Sequence, residues 1–476
     1  MEKINKILPA IIILLAVCLV NPPSAVPARD AEIVFNEWKE AYDADDFAKS
    51  VSLIKELLEA DPAYREKAQG YLDTKKKDMA YQRVETDPLL RRRIEQEQHL
   101  KRAKAVKDAF DIGISESFVY DTNPFRKERN VKYDYIIETA PFIGLNLSDP
   151  ESGMDALVLN YTLYYYTYLR HKEQNRFDHR VNFDFKAPRL LSMFGRKISL
   201  NVRDYFHPGT YYSTSESSKY LYQVYNELET EVALTMTEKT SLSMTYEHNI
   251  QWYIRDDFEN FNYQKNMISP SFYYHITPKT SIFGGYAFSV FDYYEGGLYE
   301  SHSNIIRGGM VGELTPKSSI RLSTGYEFRD YHSAPHDEDV DKYVLEFAYT
   351  NRLSQKTTMV AHAERSIKES TYRPNPYFLT TMGGLRMNQM ITPKLSFTLD
   401  GTVINNEYPK KIVVDTPTNK LKRRRDWIYN LSGGLAYNMT SWLSAGFDYR
   451  LTQRISNVNE QSYIDHVFTT NIKARY

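Results

Sequence analysis

Charged residues recur at every second position along much of this 476-residue chain, and the spacing limits what chemistry they can do. Glu227, Glu229 and Glu231 alternate with Val224, Leu228, Val232, Leu234 and Met236. Arg321, Glu327 and Arg329 alternate with Ile320, Leu322, Tyr326 and Phe328. Arg450 falls between Phe447, Tyr449 and Leu451, while Lys473 and Arg475 fall between Ile472, Ala474 and the terminal Tyr476. Asp178, Arg180 and Arg203 occupy similar positions. In an extended chain, period two puts each set on one face. Charge on such a face cannot meet lipid, but it can line an aqueous space. A wall of both signs suits passage of hydrated solute or polymer without strong ion selection. The same charges could instead pair as a structural network, and the two readings are compatible.

Tyr164, Tyr166 and Tyr168 form a row opposite Leu159, Tyr161, Leu163, Tyr165 and Leu169. Turned to water, the row could stack on sugar rings. Such rows more often belong to the aromatic girdle at a membrane interface. An acidic stretch holds His332, His336, Asp337, Glu338, Asp339 and Asp341. It lacks the spacing and turn glycine of a calcium loop, so no metal is expected there. Lys410, Lys411, Lys420, Lys422, Arg423, Arg424 and Arg425 make a basic loop suited to phosphates or an acidic polymer. Catalysis at a membrane surface would want a serine and a histidine on one edge. In Ser301-His302-Ser303 adjacent side chains point to opposite faces, so no catalytic residues, enzyme activity or cofactor are expected.

The elements that position these residues follow from composition. The chain holds 39 Tyr and 23 Phe, yet its mean hydropathy is −0.55. Aromatic richness without bulk hydrophobicity fits a barrel with an apolar exterior, a polar lumen and interfacial girdles. Net charge is −1, which offers no global attraction for nucleic acid. Residues 1–28 read as a secretory signal: Lys3 and Lys6, an apolar Ile7–Val20 run, then Val26-Pro27-Ala28 before a cut at Arg29. Cys18, the only cysteine, lies in that run behind Val17, which disfavours lipidation and leaves the mature chain without thiols. Residues 29–107 have helical spacing and form the expected small α-helical periplasmic segment.

From residue 108 to 476 the period is two, and the expected fold is an all-β transmembrane antiparallel barrel of about 18 strands, with 16 also possible. Short turns of similar chemistry recur: Thr237-Glu238-Lys239, Thr277-Pro278-Lys279, Thr315-Pro316-Lys317, Ser354-Gln355-Lys356 and Thr392-Pro393-Lys394. Between them lie longer polar connections at Ile254–Phe261, His332–Val340, Asn405–Arg425 and Arg454–Ile464. Short turns at one end and long loops at the other are an outer-membrane asymmetry, with the short turns periplasmic. The last strand alternates Phe468, Thr470, Ile472 and Ala474 with polar residues, as terminal strands read by the barrel assembly machinery do.

Two resemblances sharpen the reading. Tyr120-Asp121-Thr122-Asn123-Pro124-Phe125 closes the first strand and resembles the β-barrel porins of type 2, over about residues 108–476. The resemblance implies an outer-membrane location and a role in exopolysaccharide or capsule export, with a general solute porin or an anchoring barrel as alternatives. Tyr42, Asp46-Phe47, Val51, Ile54, Leu57, Leu58 and Asp61-Pro62 resemble half of one tetratricopeptide repeat. Implied partners are outer-membrane lipid and lipopolysaccharide, the assembly machinery and periplasmic export proteins, and not nucleic acid.

Overall fold

The alternation beginning near residue 110 becomes eighteen antiparallel strands in a computed structural model, which describes Asn36, Lys39 and most of residues 109–476. The chain divides into units 1–104 and 105–476. The signal sequence and the tetratricopeptide-like stretch lie outside the described residues; Asn36 and Lys39, which fall between them, are helical. The strands are β1 Phe110–Asp121, β2 Asp134–Leu147, β3 Ala156–Tyr168, β4 Arg176–Met193, β5 Arg196–Thr214 and β6 Ser217–Thr235. Next come β7 Thr240–Tyr253, β8 Tyr263–Thr277, β9 Thr280–Tyr293, β10 Ser301–Thr315, β11 Ser318–Tyr331 and β12 Glu338–Arg352. The wall is completed by β13 Thr357–Glu369, β14 Tyr377–Met390, β15 Leu395–Asp415, β16 Lys420–Asn438, β17 Leu443–Ser456 and β18 Tyr463–Arg475. Each strand pairs with its sequence neighbours, and β1 pairs with β18 from Gly113↔Arg475 to Asp121↔Val467, so the sheet is a closed barrel.

The short turns have one mechanism. In each, the first hydroxyl accepts from the backbone N–H two residues on: Thr237 from Lys239 at 3.1 Å, Thr277 from Lys279 and Thr315 from Lys317 at 3.2 Å, Thr392 from Lys394 at 3.3 Å. The carbonyl of the third residue then accepts from the next hairpin, as Lys239 does from His275 at 2.7 Å and Lys317 from Arg352 at 2.7 Å. Thr440 and Trp442 repeat both contacts at 3.3 and 2.8 Å. These turns therefore lock each hairpin to the one after it.

Large apolar side chains cover the outside of the wall. Ile306 is 62% exposed, Ile472 54% and Phe177 53%. A continuous exposed band of this kind is stable only against an apolar medium. Several outward polar residues are hydrogen-bonded across a hairpin: Thr139 to Glu116 at 3.1 Å, Asn226 to Asp204 at 2.7 Å, Arg365 to Thr381 at 2.7 Å and Tyr449 with His466 at 3.0 Å. Such pairing satisfies groups that lipid cannot.

One expected connection proves to be something else. Residues 405–425 belong mostly to β15 and β16, which stay paired up to Asp415↔Lys420, so the basic loop is a long hairpin. Outside the bilayer both faces of a strand can be polar, and the alternation that marks a strand disappears.

At the loop end the Tyr120–Phe125 turn fastens the seam. Asp121 accepts from the Asn123 N–H at 2.8 Å, a self-capping turn. Asn123 is fully buried; its amide donates to the carbonyls of Lys127 at 2.9 Å and Ile464 at 3.0 Å and accepts from the Lys127 N–H at 3.0 Å. It thus ties the first loop to the last strand. Asn123→Ala orphans these buried groups and should cost about 2–4 kcal/mol. The urea midpoint for loss of the folded, heat-modifiable form should fall while the folded barrel still assembles; an unchanged midpoint would remove the turn from the seam.

Candidate channel interior

Closing eighteen tilted strands spaced about 4.8 Å apart gives a backbone diameter of roughly 36 Å. The longest side chains reach roughly 7 Å from the wall. In a circular section opposite walls would not meet in the middle, and clefts of 500 and 570 Å³ do open between the inward charges.

Register places the expected residues on the inward face. Arg203 pairs with Glu229 in the ladder and by its side chain, and Glu227 and Glu231 flank that pair. Arg203, Glu229, Glu231 and Arg321 line one cleft of 570 Å³ with Glu247, Arg307 and Glu346. Asp178, Arg180 and Arg450 belong elsewhere; Arg180 and Arg450 line a 500 Å³ cleft inside the seam with Glu138, Tyr166, Tyr168 and Arg176. Asp178, 4% exposed, accepts from Arg176 Nε at 3.5 Å. Lys473 lies over the Phe142 ring at 4.4 Å, and Arg475 pairs with Asp111 at 2.6 Å at the turn end. Further inward pairs are Lys186–Asp184 at 3.0 Å and Arg386–Asp400 at 2.8 Å. The network and the wet wall coexist: charges neutralise one another laterally and still face the lumen.

The tyrosine row is on the lumen side, not in the outer girdle, because Tyr164 and Tyr166 pair in register with Asp178 and Arg176. Tyr164 and Tyr166 stack at 6.1 Å and 10°. Their faces carry guanidinium groups, Arg180 over Tyr164 at 4.7 Å and Arg176 over Tyr166 at 4.5 Å. Tyr168 is 1% exposed and its hydroxyl accepts from Arg176 at 2.6 Å, so it has no free face for a sugar. Tyr161, on the opposite face, meets His179 at 2.9 Å.

Glu327 and Arg329 are inward but buried, at 4% and 6% exposure, and they reveal a feature with no sequence signature. Arg329 pairs with Glu327 at 2.7 Å and with Glu369 near the end of β13. Tyr293 on β9 donates to Glu369 at 3.5 Å, and Tyr331 on β11 stacks on Tyr377 of β14 at 5.9 Å. Strands β9 and β13 are four apart, roughly 19 Å around the wall. Contact at 3.5 Å requires the top of β13–β14 to leave the wall and lean inward. The ladder agrees: β12–β13 pairing stops at Leu345↔Arg365, whereas β11–β12 pairing continues to Tyr331↔Glu338. Tyr293, Tyr331, Val340, Ile367, Tyr377 and Leu379 form the buried cluster that holds the hairpin there. The tyrosines at these strand ends do not say which strands meet.

The basic residues of the long hairpin separate by role. Arg424 is fully buried and donates to Asp426 at 2.7 Å; Arg454 adds a second donor to the same oxygen at 2.8 Å. Arg425 pairs with Glu407 at 2.7 Å. Lys411, Lys422 and Arg423 line a 780 Å³ cleft with Lys342 of β12.

A closed antiparallel barrel with an apolar exterior and charged interior defines an outer-membrane β-barrel of the porin kind. The family described as "Putative beta-barrel porin 2" matches residues 223–476, more than half of the chain, and the chain belongs to it. No curated protein matches. Among solved structures it is similar to OccK2 (OpdF) of Pseudomonas aeruginosa, with TM-score 0.40, 7% identity, and 77% of this chain and 97% of that one covered. It is also similar to opdK of the same organism, with TM-score 0.40, 8% identity, and 78% and 100% covered. The FrpB iron transporter from Neisseria meningitidis gives TM-score 0.35, 6% identity, and 77% and 81% covered.

Proposed function

We propose that the barrel is a passive conduit whose cargo is a hydrated glycan polymer moving to the cell surface. The observation that supports a conduit most is the charged inward register around a wall too wide to fill with side chains. Export of polymer draws on the family resemblance, and the mixed, laterally paired charges suit a neutral or weakly charged hydrated chain. In this reading the turn end is periplasmic, residues 29–107 lie in the periplasm after signal removal and contact export proteins, and the loop end is at the surface. The inward β13–β14 hairpin favours a second reading, a porin for small solutes, because it narrows one mouth.

A deletion strain separates the two. Under the export reading it loses surface polysaccharide and keeps normal small-solute uptake; unchanged polymer with impaired solute entry supports the solute porin instead. Orientation has its own test. A protease site inserted between residues 333 and 337 should be cut on intact cells, and one inserted at Pro316-Lys317 should be spared. The opposite pattern would invert the topology.

A further inference from the structure

The outward face of β13–β16 carries three glycines and an alanine within the apolar band. Gly383, Gly401 and Gly433 fall in the outward register beside Ala363. A Cβ added at any of the three would meet nothing closer than 3.9 Å. Neither packing nor a left-handed backbone requires glycine there, and glycine weakens a strand. Together the positions leave a shallow depression in the surface that meets lipid.

Directly above it the chemistry changes. Trp427 and Tyr429, exposed and stacked at 6.5 Å, mark the interfacial girdle on β16. The next outward positions on that strand are Arg425 and Arg423, at the height of lipid headgroups. They border the 780 Å³ cleft, which also takes Lys411 and Lys422. Among the described residues, Lys411, Lys422 and Arg423 have no carboxylate partner, whereas Arg425 is paired with Glu407. Unneutralised cations over a depressed apolar surface match an amphiphile with an anionic head.

We propose that this face binds one phosphorylated glycolipid of the outer leaflet, acyl chain against Gly383–Gly401–Gly433 and headgroup phosphates at Lys411 and Arg423, which pair with each other in register. A second copy of the barrel fits the small residues but not the charges, since a two-fold contact would set Arg423 and Arg365 against their own copies. The inference rests on the loop end facing outward and is independent of what the lumen carries.

Native mass spectrometry of the full chain in detergent, titrated with diphosphoryl lipid A, tests it. One lipid A per barrel is expected, with weaker binding of monophosphoryl lipid A and no retention of phosphatidylcholine. The variant Lys411→Gln, Arg423→Gln should lose about tenfold or more in apparent affinity. Gly401→Leu with Gly433→Leu should weaken binding by filling the depression. Both variants should keep the heat-modifiable mobility of a folded barrel, since neither set of side chains is used in packing. Equal lipid A binding by wild type and both variants overturns the proposal, as does retention of phosphatidylcholine equal to that of lipid A. Binding of a soluble oligogalacturonate that the cation variant loses, with no lipid A adduct, would reassign the cleft to an acidic saccharide. A wild-type dimer abolished only by the glycine variant would reassign the face to a second barrel.

Discussion

Phe468→Asp combined with Ile472→Asp is expected to eliminate folded barrel from the membrane. Both side chains face outward on β18: Phe468 packs on Tyr449 at 5.0 Å, and Ile472 is 54% exposed. A cationic charge at the bilayer midplane costs about 2–4 kcal/mol and a carboxylate less. Position 472 adds a second penalty, because it sits opposite Glu116 across the seam, where a new carboxylate would meet an existing one. Two such costs approach the whole stability of an ordinary fold, about 5–15 kcal/mol. They also fall on the strand that closes the barrel. Thr469→Lys, inward and opposite Asp448, should assemble normally. Heat-modifiable mobility of outer-membrane fractions reads the result, and normal levels of the double variant would mean that the faces of β18 are reversed.

Arg329→Ala should open the inward hairpin. The side chain joins β11 to Glu369 and is itself buried with Glu327, so its loss leaves two carboxylates without their cation. Breaking a buried ion pair from one side costs about 3–5 kcal/mol. The hairpin can relieve that by swinging back to the wall, exposing Tyr293 and Tyr331. Single-channel conductance should rise, and protease nicking within residues 370–376 should become faster. Arg386→Ala removes an ion pair whose arginine is 57% exposed and should cost about 0–1 kcal/mol with no change in nicking. If conductance and nicking are the same in Arg329→Ala as in wild type, the hairpin does not limit the mouth.

What was legible in the sequence depended on the surroundings of each segment. Within the bilayer, lipid tolerates almost no unsatisfied polar group, so alternation is strict. Ile320–Arg329 and Phe468–Tyr476 could therefore be assigned to faces, and eighteen strands could be counted. The inward placement of Glu229, Arg321 and Arg450 follows from the same parity. Above the membrane that constraint ends. Residues 405–425 alternate no longer and read as a loop, yet 405–415 and 420–425 are the upper parts of β15 and β16. The tyrosine row shows a different limit. Parity set Tyr164, Tyr166 and Tyr168 opposite Leu159 and Leu163, but could not say that Arg176 and Arg180 would cover their faces. The hairpin contact between Tyr293 and Glu369 spans 76 residues and four strands, and no local pattern encodes it.

The central claim is that the barrel conducts, and reconstitution of the full-length protein in planar bilayers tests it most directly. Discrete current steps are expected, carried by ions of both signs because Arg203, Glu229, Arg321 and Glu346 line one cleft. Arg329→Ala should enlarge the steps, Glu229→Ala should shift ion preference toward anions, and Leu443→Val on the lipid face should leave both unchanged. Bilayers that stay silent with correctly folded wild-type protein, and silent again with Arg329→Ala, would contradict the account.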